Sequence, residues 1–251
     1  MPLRAYGFTD KGPVRPTNED CFAVREELGL CVIADGMGGH NAGEVAARLA
    51  VDAVVNVVQE PSEGWPFGFD PSLSQSGNLL RTAIHVANVQ VREAAGASNA
   101  YAGMGTTIVV ARVADGTLSV AHAGDSRLYL LARQALQQLT EDDSWMVSML
   151  AQDVNADPLL LQHHPMRNAL TNVVGATSRT EVHVIEQPLT GGELILLTTD
   201  GVHGVLDDSR IEALLLEHDD PRAIAHAVIS TALTRGSRDN CTAVVGRYVK
   251  V

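Results

Sequence analysis

The sequence predicts an α+β fold in which two antiparallel sheets are faced by helices, and three observations carry that reading. Short apolar runs bounded by turn residues cluster at the start, middle and end of the chain. Two long stretches, residues 44–59 and 78–95, repeat their apolar residues at three and four, the spacing of a helix with one buried face. Strands and helices do not alternate regularly, which argues against a doubly wound parallel sheet. At 251 residues and 45% hydrophobic content the chain can bury a full core, and no internal repeat divides it.

Strands are expected at residues 5–8, 21–25 and 28–34. The first helix then buries Val45, Ala46, Leu49, Ala50, Ala53, Val54 and Val57, and the second Leu80, Ile84, Ala87, Val91 and Ala94. Residues 60–77 between them, rich in Pro, Gly and Ser, read as a long loop anchored by Trp65, Phe67 and Phe69. Strands at 106–113, 117–123 and 127–131, joined by Asp115-Gly116 and Gly124-Asp125, read as an antiparallel meander in one sheet. Residues 144–172 are irregular and are expected to form a small appended subdomain. Strands at 182–186 and 193–199, helices at 209–217 and 221–233, and a strand at 242–249 close the chain. Asp220-Pro221 has the form of an N-cap followed by a first-turn proline, which costs no hydrogen bond there.

The net charge of −12 and the absence of any Lys/Arg run exclude a phosphate-backbone surface, so neither nucleic acid nor an anionic membrane is an expected partner. No stretch approaches the roughly 18 apolar residues that span a bilayer, and the first residues lack a basic region followed by an apolar core. A cytosolic setting is expected. Cys21, Cys31 and Cys241 show no Cys-x-x-Cys spacing, and Cys31 and Cys241 in apolar runs read as buried, inert thiols.

The chemistry points to three carboxylates at the ends of apolar runs: Asp35 before Gly36-Met37-Gly38-Gly39, Asp200 before Gly201, and Asp239 before Asn240. A strand carries fixed geometry to its last residue, and a following glycine lets the backbone turn and present its own carbonyl. Carboxylates and carbonyls are hard oxygen donors that suit Mg²⁺ or Mn²⁺. A single Asp-Gly pair is ordinary hairpin chemistry; three such contexts argue for a site.

Taken together, eight segments in order resemble the metal-dependent (type 2C, PPM) protein serine/threonine phosphatases, in particular their compact bacterial members. They are residues 12–20 with Arg15 and Asn18-Glu19-Asp20, Asp35 to His40, Gly103-Met104-Gly105-Thr106-Thr107, Gly124-Asp125-Ser126-Arg127, Leu139-Thr140-Glu141-Asp142, Arg167-Asn168-Ala169-Leu170-Thr171, Thr199-Asp200-Gly201, and residues 236–242 with Asp239-Asn240. The resemblance implies a four-layer α-β-β-α sandwich, one domain over residues 1–251 with a flap at about 144–172, and a binuclear Mn²⁺/Mg²⁺ centre at one sheet end. It further implies hydrolysis of phosphoserine and phosphothreonine on proteins by a metal-bridging water or hydroxide, opposing a cytosolic serine/threonine kinase.

Carried onto matching positions, the resemblance has Asp35 bridging two metals and the Gly36 carbonyl binding one, with Asp200 and Asp239 completing the other. Asp20 would hold metal-bound water from outside the shell, with Glu19 as a helper. Arg15 would grip the substrate phosphate, and Asp125 with Asp200 would bind a third, weaker metal. The chemistry agrees: a phosphate dianion repels hydroxide, so a site must both activate water and neutralise charge, and a guanidinium offers a planar fork to two phosphate oxygens. Two departures stand out. Met37 replaces a histidine proposed as general acid in many eukaryotic members; His40 and a metal-bound water are the remaining candidates, the water preferred. Asp143 stands where the Leu-Thr-x-Asp-His run ordinarily ends in histidine, so the anchoring of the flap is expected to differ.

Three functional classes remain distinct on these grounds. A binding module that had lost catalysis should have replaced its ligand carboxylates, and all are present. A phosphohydrolase of small metabolites would share the metals and differ in substrate, because fold and metals do not define the leaving group. A protein phosphatase acting as a monomer on phosphorylated proteins, a kinase or its substrates among them, is the expected class.

Overall fold

The computed structural model describes residues 3–39, 42–61, 64–153 and 156–250. In chain order the elements are β1 (Leu3–Asp10), β2 (Asp20–Arg25), β3 (Leu30–Met37), α1 (Ala42–Gln59), α2 (Gln75–Ala97), β4 (Gly105–Thr106), β5 (Ile108–Ala114), β6 (Thr117–Ala123), β7 (Arg127–Ala132) and β8 (Ala135–Gln138). They continue with α3 (Trp145–Gln152), α4 (Pro158–Leu161), β9 (His183–Pro188), β10 (Leu194–Thr198), α5 (Asp200–His203), α6 (Asp208–Glu217), α7 (Pro221–Thr234) and β11 (Cys241–Tyr248). His40, weighed above as a proton donor, lies outside the described residues.

Two antiparallel sheets form, ordered β1-β11-β10-β7-β8 and β2-β3-β5-β6-β9, with β4 paired to β3. The expected α-β-β-α sandwich is therefore present, and its layers follow from the strand alternation. Along β3, Leu30, Val32 and Ala34 face α1 and α2, where Ala46, Ala50, Val54, Leu80 and Ile84 meet them. Cys31 and Ile33, on the opposite face, pack between the sheets with Val109, Val120, Ile195, Leu197 and Val244. The other sheet repeats the pattern, with Tyr129, Leu196 and Val245 against Ile211, Leu214, Ile224 and Val228 of α6 and α7. Central strands are wet on neither face, so they read as continuous apolar runs.

Helix starts are capped by side chains. Ser74, Asp207 and Asp220 accept backbone N–H groups at the heads of α2, α6 and α7, and Pro221 opens α7 as the sequence predicts. The loop before α2 is held less by its aromatics than by Asn78. Phe67 and Phe69 stay exposed, while the buried Asn78 exchanges hydrogen bonds with both backbone groups of Asp70 at 2.8 Å. Cys31 and Cys241 are buried and all three cysteines are free. Among the described residues, no helix is long and apolar enough to cross a membrane.

One connection differs from expectation. The β5–β6 hairpin closes through Asp115-Gly116, both with positive φ, but β6 pairs next with β9 and β7 pairs with β10 and β8. Gly124-Asp125-Ser126 is thus a crossover between sheets rather than a hairpin turn. Gly124 holds φ at +104°, and a Cβ there would lie 2.7 Å from the Thr107 side chain, so only glycine leaves β6 at this angle. Ser126 is buried with its hydroxyl 2.7 Å from that of Thr107, which gives the crossover a polar partner inside the sandwich.

Candidate active site

The carboxylates singled out in the sequence come together at one end of the sandwich. Asp20 and Asp35 are direct cross-strand partners on β2 and β3. Asp125 arrives on the crossover, Asp200 opens α5 immediately after β10, and Asp239 precedes β11. Asp35, Asp125, Asp200 and Asp239 line a single cavity of about 280 Å³ together with Arg15, Glu19, Gly36, Met37, Asn168 and Leu170. Asp20 is buried across from Asp35 and does not itself line the cavity.

Close backbone approach explains the glycines beside these acids. A Cβ on Gly36 would fall 2.0 Å from the Gly43 carbonyl of α1, and one on Gly201 would fall 1.9 Å from the Asn240 carbonyl. The turn after each aspartate therefore packs backbone on backbone, which fixes the carboxylate on a rigid frame. Around Asp35 the frame is hydrogen-bonded as well: its N–H donates to Thr107 Oγ1 at 3.1 Å, and its carbonyl accepts from Thr107 N at 2.9 Å and Thr106 Oγ1 at 2.8 Å.

Asp20 is held by residues to which the sequence assigned no role. Its Oδ2 accepts from Thr242 Oγ1 at 2.6 Å and Thr199 Oγ1 at 2.9 Å, while its buried Oδ1 has no hydrogen-bond partner among the described residues. A buried carboxylate oxygen without a donor is costly unless a cation or ordered water completes it. The electrostatics agree. Burial, then the neighbouring Asp20, Asp200, Asp125 and Asp239, pushes the Asp35 carboxyl well above the ordinary range. Burial first and nearby aspartates after it likewise raise Asp20 and Asp125 to about 7, and burial with Asp239 raises Asp200. Packing acids this way disfavours their charged forms, the condition that divalent cations reverse.

The donor set therefore fits hard divalent ions. Among the described residues no three acidic, histidine or cysteine side chains already close around one point. A cation here would draw the rest of its shell from a backbone carbonyl and water, the habit of Mg²⁺ and Mn²⁺. Arg15 is half-exposed at the cavity rim, where its Nη2 contacts Asp239 Oδ2 at 2.5 Å. The guanidinium thus stands over the acids rather than among them, with an exchangeable partner.

Asn240, which the sequence gave only as part of a motif, proves to be the clasp of the loop carrying Arg15. Its buried amide donates to the carbonyls of Lys11 at 2.8 Å and Thr17 at 3.0 Å, and its Oδ1 accepts the Glu19 amide at 2.8 Å. Asn240→Ala should orphan these groups and destabilise the protein by about 2–4 kcal/mol, read from the denaturant midpoint. A loss under about 0.5 kcal/mol, the range of surface substitutions, would show that the loop is held by other means.

At Asp143, where histidine is absent, the aspartate itself holds the following segment: it receives the Gly124 amide at 2.8 Å, the Asn172 side chain at 2.7 Å, and His183 Nε2 at 3.0 Å. Beside it, Arg127 makes a two-pronged ion pair with Asp142 at 2.7 and 2.9 Å, which secures the start of β7.

Two stacked antiparallel sheets with helices outside thus carry, at one sheet end, a cluster of acids with one arginine at its rim. The chain belongs to the protein phosphatase 2C family, whose model matches residues 16–233. It is 30% identical over 247 residues to the serine/threonine phosphatase stp of Listeria monocytogenes, covering 97% of this chain and 95% of that protein. It also superimposes on the serine/threonine phosphatase PstP/Ppp of Mycobacterium tuberculosis with a TM-score of 0.85 at 30% identity, over 99% of both chains. A PstP catalytic domain in complex with two manganese ions matches with a TM-score of 0.82 at 30% identity, again over 99% of each chain.

Proposed function

We propose that this chain is a metal-dependent protein-serine/threonine phosphatase using a binuclear Mn²⁺ or Mg²⁺ centre. The observation that carries the reading is the convergence of Asp35, Asp125, Asp200 and Asp239 on one cavity beneath Arg15. Asp35 and the Gly36 carbonyl would hold one cation and Asp35, Asp200 and Asp239 the other, with Asp125 and Asp200 contributing to a weaker third. Bound there, divalent ions would supply a nucleophilic water at neutral pH and neutralise the phosphate. Asp20, through its unpartnered Oδ1, would orient a water of that site by accepting its hydrogen bond.

Arg15 would leave Asp239 for the substrate phosphate, to which it offers two parallel N–H donors. Residues 144–172 are read as a flap of a single 1–251 domain, because Asn168 and Leu170 reach the cavity from that segment. The substrates would be phosphorylated proteins, a cytosolic serine/threonine kinase or its targets among them, and the enzyme would act as a monomer. Comparing turnover of phosphoserine and phosphothreonine peptides with that of small phosphometabolites, in Mn²⁺ and in EDTA, tests this reading. Faster hydrolysis of the metabolites, or full activity in EDTA, would overturn it.

The role of Arg15 is separately testable. Arg15→Ala should raise KM for a phosphopeptide by about tenfold or more, the size of one lost charge-assisted contact, with Mn²⁺ requirement unchanged. An unchanged KM would reject phosphate binding by this residue.

A further inference from the structure

Asp143 ties the crossover bearing Asp125 to the segment bearing Asn168 and Leu170. Its Oδ2 accepts from both Gly124 N and Asn172 Nδ2. The backbone doubles both links, since Asp143 N donates to Gly124 O at 3.1 Å and Asp143 O accepts from Thr171 N at 2.9 Å. Oδ1 turns outward to His183 Nε2 on β9 at 3.0 Å. The Asp143 side chain is only 14% exposed, so water competes weakly for these bonds.

The charge state suits a fixed strap. Burial works to raise the Asp143 carboxyl, but the His183 contact, the Gly124 amide and the Asn172 amide outweigh it and leave it below its ordinary range. The same hydrogen bond, against burial, raises His183. His122, the cross-strand neighbour of His183, is buried and pushed down to about 4 by burial, so it stays neutral near pH 7.

We propose that Asp143 is a positioning residue for phosphopeptide hydrolysis: it locks the Gly124-Asp125 crossover to the cavity-facing end of residues 144–172, and His183 aims its carboxylate. The inference rests on the reading of this cavity as a phosphatase site, and of Asp125 as a group on its leaving-group side. A peptide substrate would need both parts held together, because it must meet the segment and the Asp125 side at once. p-Nitrophenyl phosphate lacks the flanking residues that a peptide would lay along the segment beyond the cavity, and its phenolate leaves with little need of a proton.

The experiment compares wild type, Asp143→Ala, His183→Ala and His183→Gln in the full chain on a phosphothreonine peptide and on p-nitrophenyl phosphate. Backbone hydrogen exchange is followed at residues 123–126 and 168–173 without substrate. For Asp143→Ala, kcat/KM on the peptide should fall about tenfold or more relative to p-nitrophenyl phosphate, mostly through KM. His183→Ala should show the same direction with a smaller loss, and His183→Gln, which keeps an N–H donor, should restore the wild-type ratio. Exchange should quicken in both segments together in Asp143→Ala and His183→Ala. Equal losses on the two substrates, or faster exchange in only one segment, would overturn the proposal. Should Asp143→Ala not fold, the two variants at the half-exposed His183 carry the same comparison. A wild type without activity on the peptide would instead defeat the functional reading, while the exchange measurement would still decide whether the two segments are coupled.

Discussion

Asp35→Asn is expected to lower phosphopeptide turnover by at least about a hundredfold, the scale of losing a central charge-stabilising group, while leaving the fold intact. Asp35 faces Asp20 across the β2–β3 pair and shares the cavity with Asp125, Asp200 and Asp239, so it is the acid with most neighbours of like sign. Without metal the substitution removes like-charge repulsion while keeping a side-chain donor for Asp200, and the backbone around Asp35 is held through its own N–H and carbonyl. Relieving about 1 kcal/mol of like-charge contact would raise Tm in EDTA by about 2–4 °C for a chain of this size. With saturating Mn²⁺ the order should invert. Wild type would gain about 2.7 kcal/mol at a hundredfold excess over Kd, and Asp35→Asn would gain little. A variant that is still stabilised by Mn²⁺ as strongly as wild type would remove Asp35 from the metal centre.

Why Asp35 could be found in the sequence and Asn240 could not is a matter of range. Asp35 and Gly36 announce themselves locally, because a strand-forming run meets a residue that only a close backbone approach requires. The clasp made by Asn240 spans 221 to 229 positions of sequence to Glu19, Thr17 and Lys11, so no local pattern carries it. The same holds for Thr199 and Thr242. Each becomes a partner of Asp20 only once β10 and β11 lie beside each other and close to β2.

Strands and helices were legible where periodicity or caps mark them. The helix over Ala42–Gln59 and the strand over Thr117–Ala123 follow from apolar spacing, and the latter is bounded on one side by Asp115-Gly116. The β7–β8 hairpin was not seen, because its two turn residues are Arg133 and Gln134. Both adopt positive φ without belonging to the usual turn vocabulary, and the cost is met by the pairing on either side. The meander failed for a related reason. Gly124-Asp125 resembles a turn signal in either topology, and the buried Ser126–Thr107 contact that holds the crossover is invisible to spacing.

That crossover makes Asp125→Ala the second informative substitution. A structural turn residue would lose stability and affect every substrate alike, but Asp125 is not in a hairpin. It lines the cavity from a segment fixed on both sides, by Gly124 through Asp143 and by Ser126 through Thr107. Its backbone course is therefore set by its neighbours, and removal of its carboxylate should spare the fold. Met37, which lines the cavity beside Asp35, has no proton to give an alkoxide leaving group, so help for that step must come from another part of the wall. Asp125 with Asp200 would hold a third cation having few protein ligands, filled only at high Mn²⁺ or Mg²⁺. Asp125→Ala should keep Mn²⁺-induced thermal stabilisation from the tight sites, yet lose about a hundredfold in kcat on a phosphoserine or phosphothreonine peptide, within the range ascribed to acid catalysis. On p-nitrophenyl phosphate the loss should be under about tenfold, because a nitrophenolate departs with little need of a proton. Equal losses on both substrates would take Asp125 away from the leaving group, and unchanged activity on the peptide would leave it a residue of the crossover alone.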